Sequence, residues 1–126
     1  MKKVLVDSSI WIDFFRSGEN SSKLNYLIDN NLIIINDIIL AELVPFLKIK
    51  KQNKIINLLN ALEKVKLNIA WNNILDLQYQ CLKKGINRVG IPDLIITQNV
   101  IDNNFSLYTL DKHFKLIKNI YNLNIY

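Results

Sequence analysis

The chain has 126 residues, half of them apolar, which suffices for one conventional core and excludes a disordered chain. Sixteen Lys and Arg against eleven Asp and Glu give +5, which disfavours an acidic-tail protein and makes a polyanionic partner such as nucleic acid worth testing. The single cysteine, Cys81, excludes an internal disulfide and reads as a small buried hydrophobe in a reducing cytoplasm.

MKKVLV starts like an export signal, but Asp7 ends its apolar run after three residues. Lys2–Val6 is instead a first strand, and Leu32–Ile35, ending at Asn36, is a second. Such runs lack polar alternation and therefore suit strands covered on both faces. Ser22–Asp29 lies between them and spaces its apolar residues at three and four, as a helix does. Asp37–Lys50 and Gln52–Glu63 follow with the same spacing, the latter carrying a stripe of Ile55, Ile56, Leu58, Leu59 and Leu62. Val65–Ile69 is a weaker strand candidate. Trp71–Lys84 is helical and stops at Gly85 after paired lysines, an expected C-terminal signature. Pro92 opens a helix over Pro92–Asp102, with Asp93 in its first turn. Phe105–Thr109, led in by Asn103 and Asn104, is a third strand, and Leu123–Tyr126 a weak last one. The longest greasy stretch, 32–47, contains Asn36, Asp37 and Glu42 and falls short of the about 20 residues that span a membrane. Strands alternating with helices predict an α/β fold. The expectation is one domain over 1–126, a three-layer α/β/α sandwich on a mostly parallel sheet of about four to five strands.

In open α/β sheets, ligands gather at the carboxyl ends of the strands. Asp7 ends the first strand, Asp111 stands two residues past Thr109, Asp93 opens a helix, and Glu42 lies in the helix after the second strand. These four acids converge on one edge if the first strand and Phe105–Thr109 are neighbours. Asp7, Asp93 and Asp111 each serve equally well as helix caps. Glu42 is harder to dismiss, because its helical neighbours Ile38, Ile39, Pro45 and Phe46 put it on the apolar face. A carboxylate there must be paired from elsewhere in the chain, neutralised, or bound to a cation. Three or four carboxylates suit Mg²⁺ or Mn²⁺, whereas one His and one Cys argue against zinc. One or two such ions polarise a phosphodiester and generate hydroxide from water.

VDSSIWIDFFR at 6–16, ILAELV at 39–44, GIPDLIITQNV at 90–100 and LYTLDKHF at 107–114 together resemble PIN-domain ribonucleases. The likeness is greatest to VapC-like toxins of type II toxin–antitoxin pairs, and it covers almost the whole chain. The resemblance implies a Mg²⁺- or Mn²⁺-dependent endoribonuclease with Asp7, Glu42 and Asp93 as core ligands. Asp111 would help through water or a second ion. By the same likeness Ser8 and Thr109 line the site, although both serve equally as capping or turn hydroxyls. It also implies a homodimer and a small antitoxin that fills the acidic pocket. Two alternatives stand beside this reading: a PIN-like RNA-binding module without catalysis, and a PIN-superfamily nuclease acting on DNA. All four acids are intact, which counts against the first.

With 18 Asn and fourteen of the sixteen basic residues Lys, neither residue type is informative by mere presence. Lys48, Lys50, Lys51 and Lys54, and then Lys112, Lys115 and Lys118, form either solvated helix faces or an RNA-tracking surface. Arg16 and Arg88 are the only guanidiniums. Arg16 is expected to pair with Asp13, three residues earlier on one helix. Arg88, in a polar loop before the third motif, is the better substrate or antitoxin contact. His113, beside Asp111 on a Lys-rich segment, is expected to be a solvated surface residue. The stripes of Ser22–Asp29 and Gln52–Glu63 are either plain core or a seam for a second chain.

Overall fold

The computed structural model describes residues 2–126. Its centre is a parallel sheet of β1 (Val4–Val6), β2 (Ile33–Ile35), β3 (Glu63–Lys64) and β4 (Ser106–Tyr108), in the spatial order β3-β2-β1-β4. Seven helices connect and flank the strands, giving the expected three-layer α/β/α arrangement: α1 (Ser8–Arg16), α2 (Leu24–Asp29), α3 (Asp37–Ile49), α4 (Asn53–Ala61), α5 (Trp71–Lys83), α6 (Ile91–Asp102) and α7 (Lys112–Lys118). No helix among the described residues is long and apolar enough to cross a membrane.

β1 and β2 are buried at every residue, as uninterrupted apolar runs require when both faces of a sheet are covered. The register pairs Val4 with Ser106 and Val6 with Tyr108. Asp7 and Thr109 therefore leave the sheet side by side at its carboxyl edge, as the four-acid hypothesis needs.

Two strand expectations are corrected. The helix expected to reach Glu63 ends at Ala61, because Leu62 turns extended and Glu63–Lys64 then pairs with Ile34 and Ile35. The strand expected at Val65–Ile69 thus lies just upstream, where both residues are exposed and charged. Lys64 meets Asp37 at 3.2 Å and Glu63 meets Lys3 at 3.6 Å, and such charges on an edge strand deter further strand addition. The weak last strand shrinks to a single parallel bridge from Ile125 to Leu107, so the sheet has four named strands.

The two apolar stripes resolve to the first of their two readings, plain core. Leu24 and Leu27 of α2 and Ile56 and Leu59 of α4 are buried, and Ile28, Ile55, Leu58 and Leu62 pack against the same core. Neither stripe is left for a partner. The outer face of α5 is different: Trp71, Leu75, Tyr79 and Leu82 are each more than half exposed.

α6 is buried along Leu94–Val100, polar residues included. Each polar side chain there has a partner, as burial demands. Thr97 Oγ1 donates to the Asp93 carbonyl at 2.8 Å, and Gln98 Oε1 accepts from Ala70 N–H at 3.3 Å. Asn99 Oδ1 accepts from Asn36 Nδ2 at 3.0 Å, while Asn36 Oδ1 caps α3 by accepting from Ile39 N–H at 3.0 Å. Asn36 thus couples the helix carrying Glu42 to the helix carrying Asp93. Replacing Asn36 by Ala removes a cap and a buried amide bond together and should cost about 2–4 kcal/mol in urea unfolding.

Candidate metal centre

Four elements deliver the four acids. Asp7 sits between β1 and α1, Glu42 on α3, Asp93 in the first turn of α6, and Asp111 at the N-cap of α7. Asp7 is buried, and its carboxylate makes no capping bond to its helix. Its Oδ2 instead accepts from Ser9 Oγ at 2.7 Å and from Thr109 Oγ1 at 2.9 Å. Ser9 Oγ also accepts from Leu110 N–H at 3.0 Å, and Thr109 Oγ1 from Asp111 N–H at 3.0 Å. Each hydroxyl has one proton and gives it to Asp7, so the 3.3 Å between Ser9 Oγ and Thr109 Oγ1 is a side-by-side contact. This network ties the start of α1 to the loop before α7.

Thr109 thus hydrogen-bonds Asp7, whereas the Ser8 side chain makes no hydrogen bond among the described residues. The hydroxyl on Asp7 belongs to Ser9, which the sequence reading passed over. Two adjacent serines are equivalent in composition; the phase of α1 from its cap separates them, and that helix start was the available signal.

The capping alternative holds in part. Asp111 Oδ1 accepts from His113 N–H at 2.9 Å, and Asp93 Oδ2 accepts weakly from Gly90 N–H at 3.4 Å. Both carboxylates retain an oxygen beyond these bonds. Glu42 is corrected in orientation: the residue is exposed and has no place in the apolar core. Its protonation nevertheless reports on the cleft. Burial of the carboxyl group, then the charges of Asp7, Asp93 and Asp111, push its pKa from 4.5 up to about 7. Burial and the charge of Asp111 likewise raise Asp93, with Gly90 N–H and His113 opposing and Asp7 adding a smaller push. Four carboxylates thus share one electrostatic neighbourhood.

His113 corrects its expectation too. It is half-buried, and its Nδ1 lies 3.0 Å from Asp111 Oδ1. Asp93, Asp111 and His113 offer ligand atoms that all lie within 4.8 Å of one another. Asp7 and Glu42 stand outside that tight trio and complete the cleft through charge. The donor set fits a divalent cation: it is oxygen-rich and mutually repulsive, and a cation would relieve the charges that raise Glu42.

The remaining candidates lie outside this constellation. Arg16, Arg88 and Lys112 are all exposed. Arg16 does not pair with Asp13, because Asp13 accepts from Asn20 N–H at 3.0 Å and Asn20 Nδ2 at 3.2 Å. Arg88 adopts a left-handed backbone, φ +67°, in the loop before α6.

A parallel α/β sheet with an acidic cleft at its carboxyl edge is the architecture these residues define. The chain belongs to the PIN domain family, whose model matches residues 4–120. No curated protein matches the sequence, but solved structures do. The chain is similar to a chain in the structure of VapBC2 from Rickettsia felis bound to a DNA fragment from their promoter, with 27% identity and TM-score 0.76 over 98% of this chain and 96% of that one. It also shares the fold of DNA-bound VapBC from Salmonella typhimurium, with 16% identity and TM-score 0.77 over 100% and 98%. VapBC-1 from nontypeable Haemophilus influenzae follows at 19% and 0.72 over 98% and 96%. The VapC-like resemblance read from the motifs therefore stands.

Proposed function

We propose that this protein is a metal-dependent endoribonuclease, the toxin of a type II toxin–antitoxin pair working in the cytoplasm. The observation that supports this reading best is the close approach of Asp93, Asp111 and His113, with the charges of Asp7, Asp93 and Asp111 raising the nearby Glu42. Family membership and the likeness to VapBC complexes support it.

In this reading the four carboxylates hold Mg²⁺ or Mn²⁺, with Asp111 acting directly or through water. Such an ion, when bound, supplies a Lewis acid for the phosphodiester and an activated water. The chain's own contribution is placement. Ser9 and Thr109 fix the Asp7 carboxylate in one orientation, and the buried Asn36–Asn99 bond sets the spacing between the Glu42 and Asp93 helices. The exposed lysines Lys48, Lys50, Lys51 and Lys54 supply a positive surface for the RNA backbone, so substrate affinity should fall steeply with salt. Arg88 and Lys112 are the proposed contacts for RNA or antitoxin at the rim, and Arg16 a third.

The test is cleavage of RNA and of DNA of the same sequence, with Mg²⁺, with Mn²⁺ and with a chelator. Expected is RNA cleavage that needs the ion. Preferential DNA cleavage would mean a PIN nuclease of another kind, and binding without cleavage a PIN-like RNA-binding module.

A homodimer belongs to the same reading, and the free apolar stripe on α5 is its proposed seam. Trp71, Leu75, Tyr79 and Leu82 recur at four, four and three, the spacing with which two like helices pack about a two-fold axis. Leu75→Glu should convert a dimer to a folded monomer in light scattering and circular dichroism, since Leu75 is 67% exposed.

A further inference from the structure

We propose that His113 is a direct ligand of the metal centre, giving it a nitrogen donor that biases it towards Mn²⁺ over Mg²⁺. The inference rests on the metal-dependent reading above and goes beyond its four carboxylates.

Three observations carry it. Asp93, Asp111 and His113 are the residues whose ligand atoms already lie within 4.8 Å of one another among those described. His113 Nδ1 and Asp111 Oδ1 are 3.0 Å apart. Two adjacent ligands on a six-coordinate ion, with bonds of about 2.1 Å at right angles, stand roughly 3.0 Å apart as well. An ion that binds both atoms therefore needs little movement of either side chain.

The placement of the ring is also fixed from behind. Phe114 and Ile117 are fully buried and anchor α7 to the core, while Lys112, Lys115 and Lys118 face solvent. His113 alone of the polar residues in this helix is half-buried and turned to the carboxylates.

The chemistry follows from the donor. Mg²⁺ prefers oxygen and dehydrates reluctantly, so an imidazole adds little to its binding. Mn²⁺ also favours oxygen, but it stands in the first-row series that binds mixed N/O sites and lacks the reluctance of Mg²⁺ to shed water, so it gains more from an imidazole. Loss of the ring should therefore weaken Mn²⁺ by about tenfold or more, a typical cost for altering a metal-site histidine or its support. Mg²⁺ should change by less than about threefold.

The experiment uses the whole protein with Mn²⁺ alone as probe. Electron spin-echo spectroscopy of the Mn²⁺-loaded wild type should show ¹⁴N coupling from a bound imidazole, and His113→Ala should abolish it while still binding the ion. Calorimetry of both proteins with Mn²⁺ and Mg²⁺ should show the unequal losses just described. A bound Mn²⁺ without nitrogen coupling in the wild type overturns the proposal and leaves the carboxylate centre standing. Equal losses for both ions would also overturn it, since His113 would then merely hold Asp111. Failure of the wild type to bind Mn²⁺ at all would overturn the metal reading itself and this inference with it. The wild-type spectrum decides even if His113→Ala fails to fold.

Discussion

Asp7→Asn should abolish metal-dependent RNA cleavage while leaving the chain folded. Asn is nearly isosteric with Asp, and its carbonyl oxygen can still accept the hydroxyls of Ser9 and Thr109. What disappears is a buried negative charge at the carboxyl end of the central strand β1. A ligand charge lost from a cation site removes several kcal/mol of transition-state stabilisation; about 4 kcal/mol corresponds to roughly a thousandfold in rate. The metal-free variant should melt no lower than the wild type, because one of four repelling carboxylates has gone. Full RNase activity in Asp7→Asn would sink the proposed centre. A joint loss of activity and folding would instead point to Asp7 as a structural hub, and Glu42→Gln, on an exposed residue, would then be the decisive variant.

Glu42 yields the second large effect, a pH dependence of metal binding. With its pKa raised from 4.5 to about 7 by burial and by Asp7, Asp93 and Asp111, it keeps its proton in the metal-free protein below neutrality. A cation must expel that proton, so affinity should fall about tenfold per pH unit below 7 and about a hundredfold by pH 5. Calorimetry in buffers of different ionisation enthalpy should count roughly one proton released per ion near pH 6. The stability effect has the opposite sense. Between 4.5 and about 7 the folded chain binds more protons at Glu42 than the unfolded chain does. This group therefore destabilises the metal-free protein progressively as pH rises through that window. Adding Mg²⁺ or Mn²⁺ should cancel the trend, and Glu42→Gln should remove it. Metal affinity flat from pH 5 to 8 would show that Glu42 does not meet the ion.

Much of this arrangement was legible in the sequence because the relevant signals are local. The apolar runs that make β1 and β2, the acid ending the first, and Gly85 closing α5 each follow from a few neighbouring residues. So does the placement of Asp93 behind a helix-opening proline. What stayed hidden depends on contacts between distant segments. Glu63–Lys64 carries no strand propensity of its own and is a strand only because β2 offers a free edge. Asn36 and Asn99 are two of 18 asparagines, and nothing local marks them as the buried pair between α3 and α6. Glu42 was placed on the correct helix, but helical spacing alone assigned it the wrong exposure. The orientation of α3 against α1 and α6 settles that. His113 was misjudged for a similar reason: its sequence neighbours are lysines, and its spatial neighbours are carboxylates.

The register of the sheet has a consequence for when the proposed metal centre can form. Asp7 is held by Thr109, a residue 102 positions later, and β1 lies between β2 and β4. A nascent chain still inside the ribosome beyond about residue 100 has neither the strand that completes the sheet nor the last two members of the tight trio. The proposed centre therefore cannot assemble until β4 and α7 have been made and have docked against β1.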